Sequence, residues 1–253
     1  MSVFDGVGVA LVTLFDADGR LDTDATAEHA ERLVEAGVAA VVVAGSTGEA
    51  PTLDTDERLA LVATVRRRIA GRVPVVVGTG APSARQAVGL TRAACDHGAD
   101  AVLALSGLQA ADPRPYYEAV RDAAGDVPVL AYHFPTMAPP GIPVAALASL
   151  PVVGVKDSTG DPDRLLHTLD AYDGDVYVGS SALLTMAGAV GCRGAILALA
   201  NLEPRGCVEA FGGDGGAQRA LAPVHRRVAS PFPRGLKEAL AESFGTSPVC
   251  RMG

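Results

Sequence analysis

Short runs of Val, Ala, Leu and Ile recur along the whole chain, each preceded by a Gly, Pro or Asp turn and followed by a longer amphipathic stretch. A short continuous apolar run marks a strand buried on both faces, and the amphipathic stretch marks a helix that covers it. The pattern predicts strands over residues 7–13, 38–44, 73–78, 99–105, 127–132, 152–156, 175–178 and 194–199. Their starts lie roughly twenty to thirty-five residues apart, enough for one crossover helix between parallel neighbours. Eight such units favour an α/β fold of the closed (β/α)8 TIM-barrel type over a doubly wound sheet. A doubly wound sheet normally carries a glycine fingerprint after its first strand; here Gly6 and Gly8 lie before or inside that strand and no GxGxxG follows. Helix ends are marked locally: Asp54-Thr55-Asp56-Glu57 offers an N-cap and first-turn acids, and Ala36-Gly37 and His97-Gly98 offer C-terminal glycines. Three further helices are expected over 203–211, 217–229 and 234–244. The first closes the barrel, so residues 1–212 read as the barrel carrying the active site and 213–253 as a short helical C-terminal extension.

Composition narrows the partners. The apolar fraction is 49%, but only 4% is aromatic and there is no Trp, so the core is built from small and β-branched aliphatics. A net charge of -8 argues against nucleic acid and against an anionic membrane surface, which leaves a small molecule as the expected partner. The four cysteines form neither a CxxC pair nor a Cys/His ligand spacing, so no metal site is expected and the thiols fit a reducing compartment. No basic start precedes the first apolar run and no segment has the length of a membrane helix, so a cytoplasmic protein is expected.

One apolar run carries an anomaly. In Val152-Val153-Gly154-Val155-Lys156-Asp157-Ser158 a lysine closes a strand that otherwise reads as fully buried, in a chain with 2 lysines, Lys156 and Lys237, among its 21 basic residues. Where a plain positive charge serves, this protein uses arginine, which points to the amine of Lys156 as the reason for its presence. An ordinary lysine amine is almost wholly protonated at pH 7, and burial in a low dielectric favours the neutral form that attacks a carbonyl. The functional reading is a Schiff-base lysine; the plain alternative is a strand-end lysine that reaches solvent or pairs with Asp157. Barrel active sites lie at the C-terminal ends of the strands. Two further candidates meet that demand. Gly45-Ser46-Thr47-Gly48-Glu49, after the second strand, offers backbone N–H groups and two hydroxyls to an anion, or is an ordinary turn. Tyr132, ending the fifth strand, is a phenol beside Lys156, or a core aromatic with a satisfied hydroxyl.

Together these motifs resemble the dihydrodipicolinate synthase / N-acetylneuraminate lyase family of pyruvate-dependent class I aldolases. Gly45-Ser46-Thr47-Gly48-Glu49 is similar to its GxTGE loop, Tyr132-His133-Phe134-Pro135 to its YNxP segment and Gly154-Val155-Lys156-Asp157-Ser158 to its G(I/V)KD(S/T) strand. Val178-Gly179-Ser180 and Gly194-Ala195-Ile196 fall where the family has the strand ends that floor the site. The resemblance implies catalytic roles for Lys156, Tyr132 and Thr47, with Ser46, Thr47, Gly179 and Ile196 binding substrate. Lys156 would form a covalent imine with pyruvate or another 2-oxo acid, with no other cofactor. Tyr132 would relay protons, and Ser46 and Thr47 would hold the carboxylate. A homo-oligomer, dimer or tetramer, is implied as well.

The sequence also departs from the family. Dihydrodipicolinate synthases carry an arginine two residues beyond the proline of YNxP, for the carboxylate of aspartate semialdehyde; Met137 stands there, and a thioether cannot pair with a carboxylate. The second relay tyrosine of the family, lent by a neighbouring subunit from the loop after the fourth strand, is replaced by Ser106-Gly107-Leu108-Gln109. The chain ends soon after Cys250-Arg251, which is expected to shorten the tail that often supports tetramers. These features favour a class I aldolase that cleaves or forms a 4-hydroxy-2-oxo acid with pyruvate. The alternatives are dihydrodipicolinate synthase itself and a catalytically retired barrel that binds oxo acids.

Overall fold

A computed structural model of the protein describes residues 2–109 and 111–252. Among them eight strands, all parallel, close into a barrel in sequence order. They are β1 Gly6–Ala10, β2 Ala40–Val43, β3 Val75–Gly78, β4 Ala101–Leu105, β5 Val129–His133, β6 Gly154–Asp157, β7 Asp175–Val178 and β8 Gly194–Leu197. The helices between and after them are α1 Thr23–Glu35, α2 Thr55–Ile69, α3 Ala84–Asp96, α4 Arg114–Ala124, α5 Val144–Leu147, α6 Pro162–Ala171, α7 Leu184–Ala189, α8 Pro204–Phe211, α9 Gly215–Val228 and α10 Arg234–Phe244. This is the expected (β/α)8 TIM barrel with a helical C-terminal extension. Among the described residues no helix is long and apolar enough to cross a membrane, and all four cysteines are free thiols.

Most strands are shorter than the apolar runs. Residues such as Val38, Ala99 and Val127 are apolar but belong to the turn that ends the preceding helix, where their N–H groups donate back to Leu33, Ala94 and Ala124. Apolarity reports burial, which these positions share with the strands, and not ladder hydrogen bonding. The cap signals read from sequence hold: Asp54 and Glu57 form a reciprocal capping box at the start of α2, and Gly37 and Gly98 adopt positive φ.

Period-two alternation divides each strand between two cores. Ala40, Val42, Val76, Leu103, Leu130 and Ile196 point into the barrel, while Val41, Val43, Val75, Val77, Val102 and Val155 face the helices. Phe4 and Tyr177 plug the lower end of the barrel, rings 4.6 Å apart, with the Tyr177 hydroxyl donating to the Phe4 carbonyl at 2.8 Å. The extension has no core of its own: Leu221, Val228, Leu236 and Leu240 join the cluster that surrounds the strands. That packing carries α9, α10 and the tail across the upper mouth, where they reach the candidate site.

Candidate active site

Alternation along β6 puts Gly154 and Lys156 inside the barrel and Val155 and Asp157 outside, which is how a lysine comes to close an apolar run. Lys156 is 5% exposed, too buried to reach solvent. It does not pair with Asp157 either, whose carboxylate takes Arg164 Nε at 2.6 Å and the Thr159 hydroxyl at 2.5 Å. Lys156 lies opposite Tyr132 in the β5–β6 ladder, and its Nζ sits 4.1 Å from the centroid of the Tyr132 ring. Tyr132 stacks on Phe134, and its hydroxyl accepts from Ser158 Oγ at 3.4 Å. That serine depends on Gly179: any Cβ on residue 179 would overlap the Ser158 hydroxyl.

The loop after β2 is held from two sides. On one, Thr13 Oγ1 donates to the Gly48 carbonyl at 2.7 Å, a contact so close that a Cβ on Gly48 would crowd both Thr13 and the Leu11 carbonyl. On the other, Glu49, a non-glycine residue at φ 54°, turns its carboxylate inward. Lys237 Nζ donates to one of its oxygens, and the Arg251 and Met252 N–H groups donate to the other, each at 2.7 Å. Both side chains of this ion pair are 0% exposed. Burial pushes the Lys237 pKa down, and Glu49 pulls it back only in part. Between these anchors Ser46 and Thr47 face the barrel mouth.

A cavity of about 470 Å³ opens there. Lys156, Tyr132, Ser46, Thr47, Gly179 and Ile196, all singled out in the sequence, line it together. Met137 lines it too, so the position where a synthase would place an arginine does face the cavity with a thioether. Neither His133 nor Arg114 replaces it. His133 points out of the barrel, where its Nδ1 accepts from the Ile142 N–H at 2.8 Å; burial, helped by Arg164, pushes its pKa down to about 4. Arg114 is paired with Glu118 on α4. Nor do Tyr116 and Tyr117, which follow the loop after β4 on α4, supply the missing second relay tyrosine: their hydroxyls are bonded to Ala81 and to the Ala104 carbonyl. A second, larger hollow of about 940 Å³ adjoins the first across Ser46, Tyr132 and Met137.

Three contributors were not read from the sequence. Ser158 had a signal, since residues 154, 156 and 158 share one face of the strand. Glu49 was read only as part of the turn, not as its anchor. His225, on α9, lines the cavity and lies 2.8 Å through Nδ1 from Ser181 Oγ; nothing local in the sequence links a residue of the extension to the barrel mouth. The assembled groups are a buried amine, a phenol and hydroxyl in contact, and a rigid turn bearing two more hydroxyls. They suit nucleophilic attack on the carbonyl of a small anion.

Comparison with known proteins agrees with this geometry. The model of the dihydrodipicolinate synthetase family matches residues 3–243. The chain is 37% identical to a DapA-like lyase of Halobacterium salinarum, with 96% of this chain and 86% of that protein aligned. It is 36% identical to the 4-hydroxy-tetrahydrodipicolinate synthase of Pseudomonas aeruginosa, over 94% of this chain and 87% of the other. Among solved structures, a prophage protein of E. coli K12 from the dihydrodipicolinic acid synthase family, in complex with pyruvate, superposes with a TM-score of 0.92. It is 26% identical, and the match covers 98% of this chain and 92% of the other.

Proposed function

The chain belongs to the dihydrodipicolinate synthetase family and is a carbon–carbon lyase, and from that premise we propose that it forms a Schiff base between Lys156 and pyruvate to cleave or build a 4-hydroxy-2-oxo acid. The observation that carries this reading is the pairing of Lys156 and Tyr132 on adjacent strands, both facing one cavity at the barrel mouth. Ser46 and Thr47 hold the carboxylate of the oxo acid while Gly179 and Ile196 form the wall and floor. The Lys156 amine adds to C2, and the carbinolamine hydroxyl leaves as water with a proton from the Tyr132–Ser158 pair. The resulting iminium is an electron sink. In cleavage the C4 hydroxyl gives up its proton, the C3–C4 bond breaks, the aldehyde departs and its electron pair becomes an enamine on C3. Protonation of C3 and hydrolysis of the imine release pyruvate and the amine. Condensation runs the same steps in reverse. The imine itself supplies the electron sink, so the chemistry needs neither metal nor further cofactor.

A second reading, 4-hydroxy-tetrahydrodipicolinate synthase, is favoured by the names of relatives such as the Pseudomonas aeruginosa protein. Met137 counts against it. An arginine–carboxylate contact is worth about 1.5–3 kcal/mol, and a thioether leaves the distal carboxylate of aspartate semialdehyde desolvated without compensation. A retired oxo-acid binder would show no turnover. Coupled assays separate the three: pyruvate release from a panel of 4-hydroxy-2-oxo acids, set against condensation of pyruvate with aspartate semialdehyde. Efficient cleavage with poor condensation supports the aldolase; the converse would replace it with the synthase, and neither activity would leave the binder. We take the functional unit to be a homo-oligomer, a state light scattering reads directly.

A further inference from the structure

The walls of the cavity divide by chemistry. The residues before 160 bring the hydroxyls, from Ser46, Thr47, Tyr132, Thr136 and Ser158, with Phe134 and Met137 beside them. The residues contributed from 196 onward are apolar, among them Leu199, Val228, Phe232, Leu236 and Met252, with His225 the exception. His225 is hydrogen-bonded to Ser181, which is itself buried and lines the cavity from the turn after β7. Apart from Lys156, no Lys, Arg, Asp or Glu among the described residues lines the cavity. At about 470 Å³ it lies within the range of sites that enclose a whole small organic ligand, with room beyond the oxo acid at the amine.

We infer that the aldehyde taken by this enzyme has a mainly apolar body, aromatic or branched aliphatic, carrying one hydrogen-bonding group that the Ser181–His225 pair recognises. The inference rests on the imine reading above and adds the class of the acceptor. With the hydroxyl-lined side taken by the oxo acid and the proton relay, the substituent on the aldehyde carbon is placed along the residues contributed by β8, α9, α10 and the tail, which close the same cavity. A polyhydroxylated substituent there would lose its water with only one polar pair to replace it, and an anionic one would find no opposing charge. An apolar body gains by leaving water. The reaction is the ordinary aldol addition: C3 of the enamine bonds to the aldehyde carbon, the aldehyde oxygen takes a proton, and hydrolysis of the imine frees a 4-hydroxy-2-oxo acid with an apolar substituent on C4. The adjoining 940 Å³ hollow, which shares Ser46, Tyr132 and Met137 with the first and has Arg58 and Arg85 on its walls, is the contrary route, the one an acidic acceptor would take.

The test gives the full-length protein pyruvate and, in turn, glyoxylate, glyceraldehyde, benzaldehyde and the three hydroxybenzaldehydes, with product measured as 4-hydroxy-2-oxo acid. Benzaldehyde is expected to exceed glyceraldehyde and glyoxylate in kcat/KM by about tenfold or more, the discrimination an apolar pocket achieves. At least one hydroxybenzaldehyde is expected to exceed benzaldehyde by about tenfold, and Ser181→Ala and His225→Gln to abolish that second preference while keeping the first. A preference for glyoxylate or glyceraldehyde, or an unchanged hydroxyl preference in both variants, would overturn the acceptor class. The imine reading is checked on the same preparations by borohydride trapping of pyruvate. Trapping at Lys156 without the acceptor preference sinks only this inference, whereas no trapping at Lys156 removes its foundation as well.

Discussion

Replacing Lys237 by Met would leave the buried Glu49 carboxylate with two backbone N–H donors and no directly paired counter-charge, the Arg251 guanidinium being bonded to Glu57. Removing one partner of a buried ion pair costs about 3–5 kcal/mol, because the remaining charge stays desolvated. Against a typical total stability of about 5–15 kcal/mol that is a large fraction. For a chain of this size it corresponds to a loss of roughly 6–20 °C in Tm. The double variant Lys237→Met/Glu49→Gln removes both charges and keeps a neutral acceptor for the tail. It should therefore be destabilised by less than the sum of the single variants, by at least about 1 kcal/mol. Urea denaturation followed by far-UV circular dichroism measures all four proteins of this cycle. The same carboxylate anchors the turn carrying Ser46 and Thr47, so Lys237→Met should also raise KM for the oxo acid. A loss below about 1 kcal/mol, the usual worth of an exposed pair, or strictly additive single variants, would refute the reasoning.

Other consequences are more local. Tyr132→Phe should keep the fold and lower turnover by about 10²-fold or more, the worth of a positioned proton donor, as read by coupled pyruvate assay; full activity would remove the phenol from the site. Gly179→Ala should displace the Ser158 hydroxyl from Tyr132 and lower kcat by about tenfold or more; the added Cβ also meets the Ser158 Cα at 3.0 Å, so the end of β6 must shift and Tm should fall as well. His133 and His29 are both held down to about 4 by burial, against an ordinary 6.5. Above 6.5 each is neutral whether folded or unfolded. As pH falls from there toward 4 the unfolded chain takes up protons that the folded one refuses, so stability declines by about 1.4 kcal/mol per pH unit for each histidine. Replacing His133 by Asn should flatten that decline in urea titrations between pH 7 and 4.5.

What the sequence made legible follows from how local each signal is. Strand order and barrel closure were readable because each βα unit carries its own period and its own caps, as in Asp54–Glu57 at the start of α2. Lys156 stood out because a charge interrupts an apolar strand, Tyr132 because it falls at a strand end, and Thr47 because it lies in the glycine-flanked turn that follows one. Strand limits were less legible, since Val38 and Ala99 are as buried as the strands they precede. Least legible was everything contributed by the extension. The pairing of Glu49 with Lys237, and of Ser181 with His225, joins residues far apart in sequence that only packing across the barrel mouth brings together. Their residue types are common on any helix, and no pattern of spacing distinguishes them.

The central claim is an imine on Lys156, and reduction with borohydride in the presence of pyruvate tests it directly. A reduced imine blocks tryptic cleavage at Lys156, so the label should appear by mass spectrometry on a peptide running from Asp122 to Arg164 and be absent when pyruvate is omitted. Lys237, the other lysine, is sealed in its ion pair and should remain unlabelled in the folded protein. Label on Lys237 alone, or no label at all, would contradict the account.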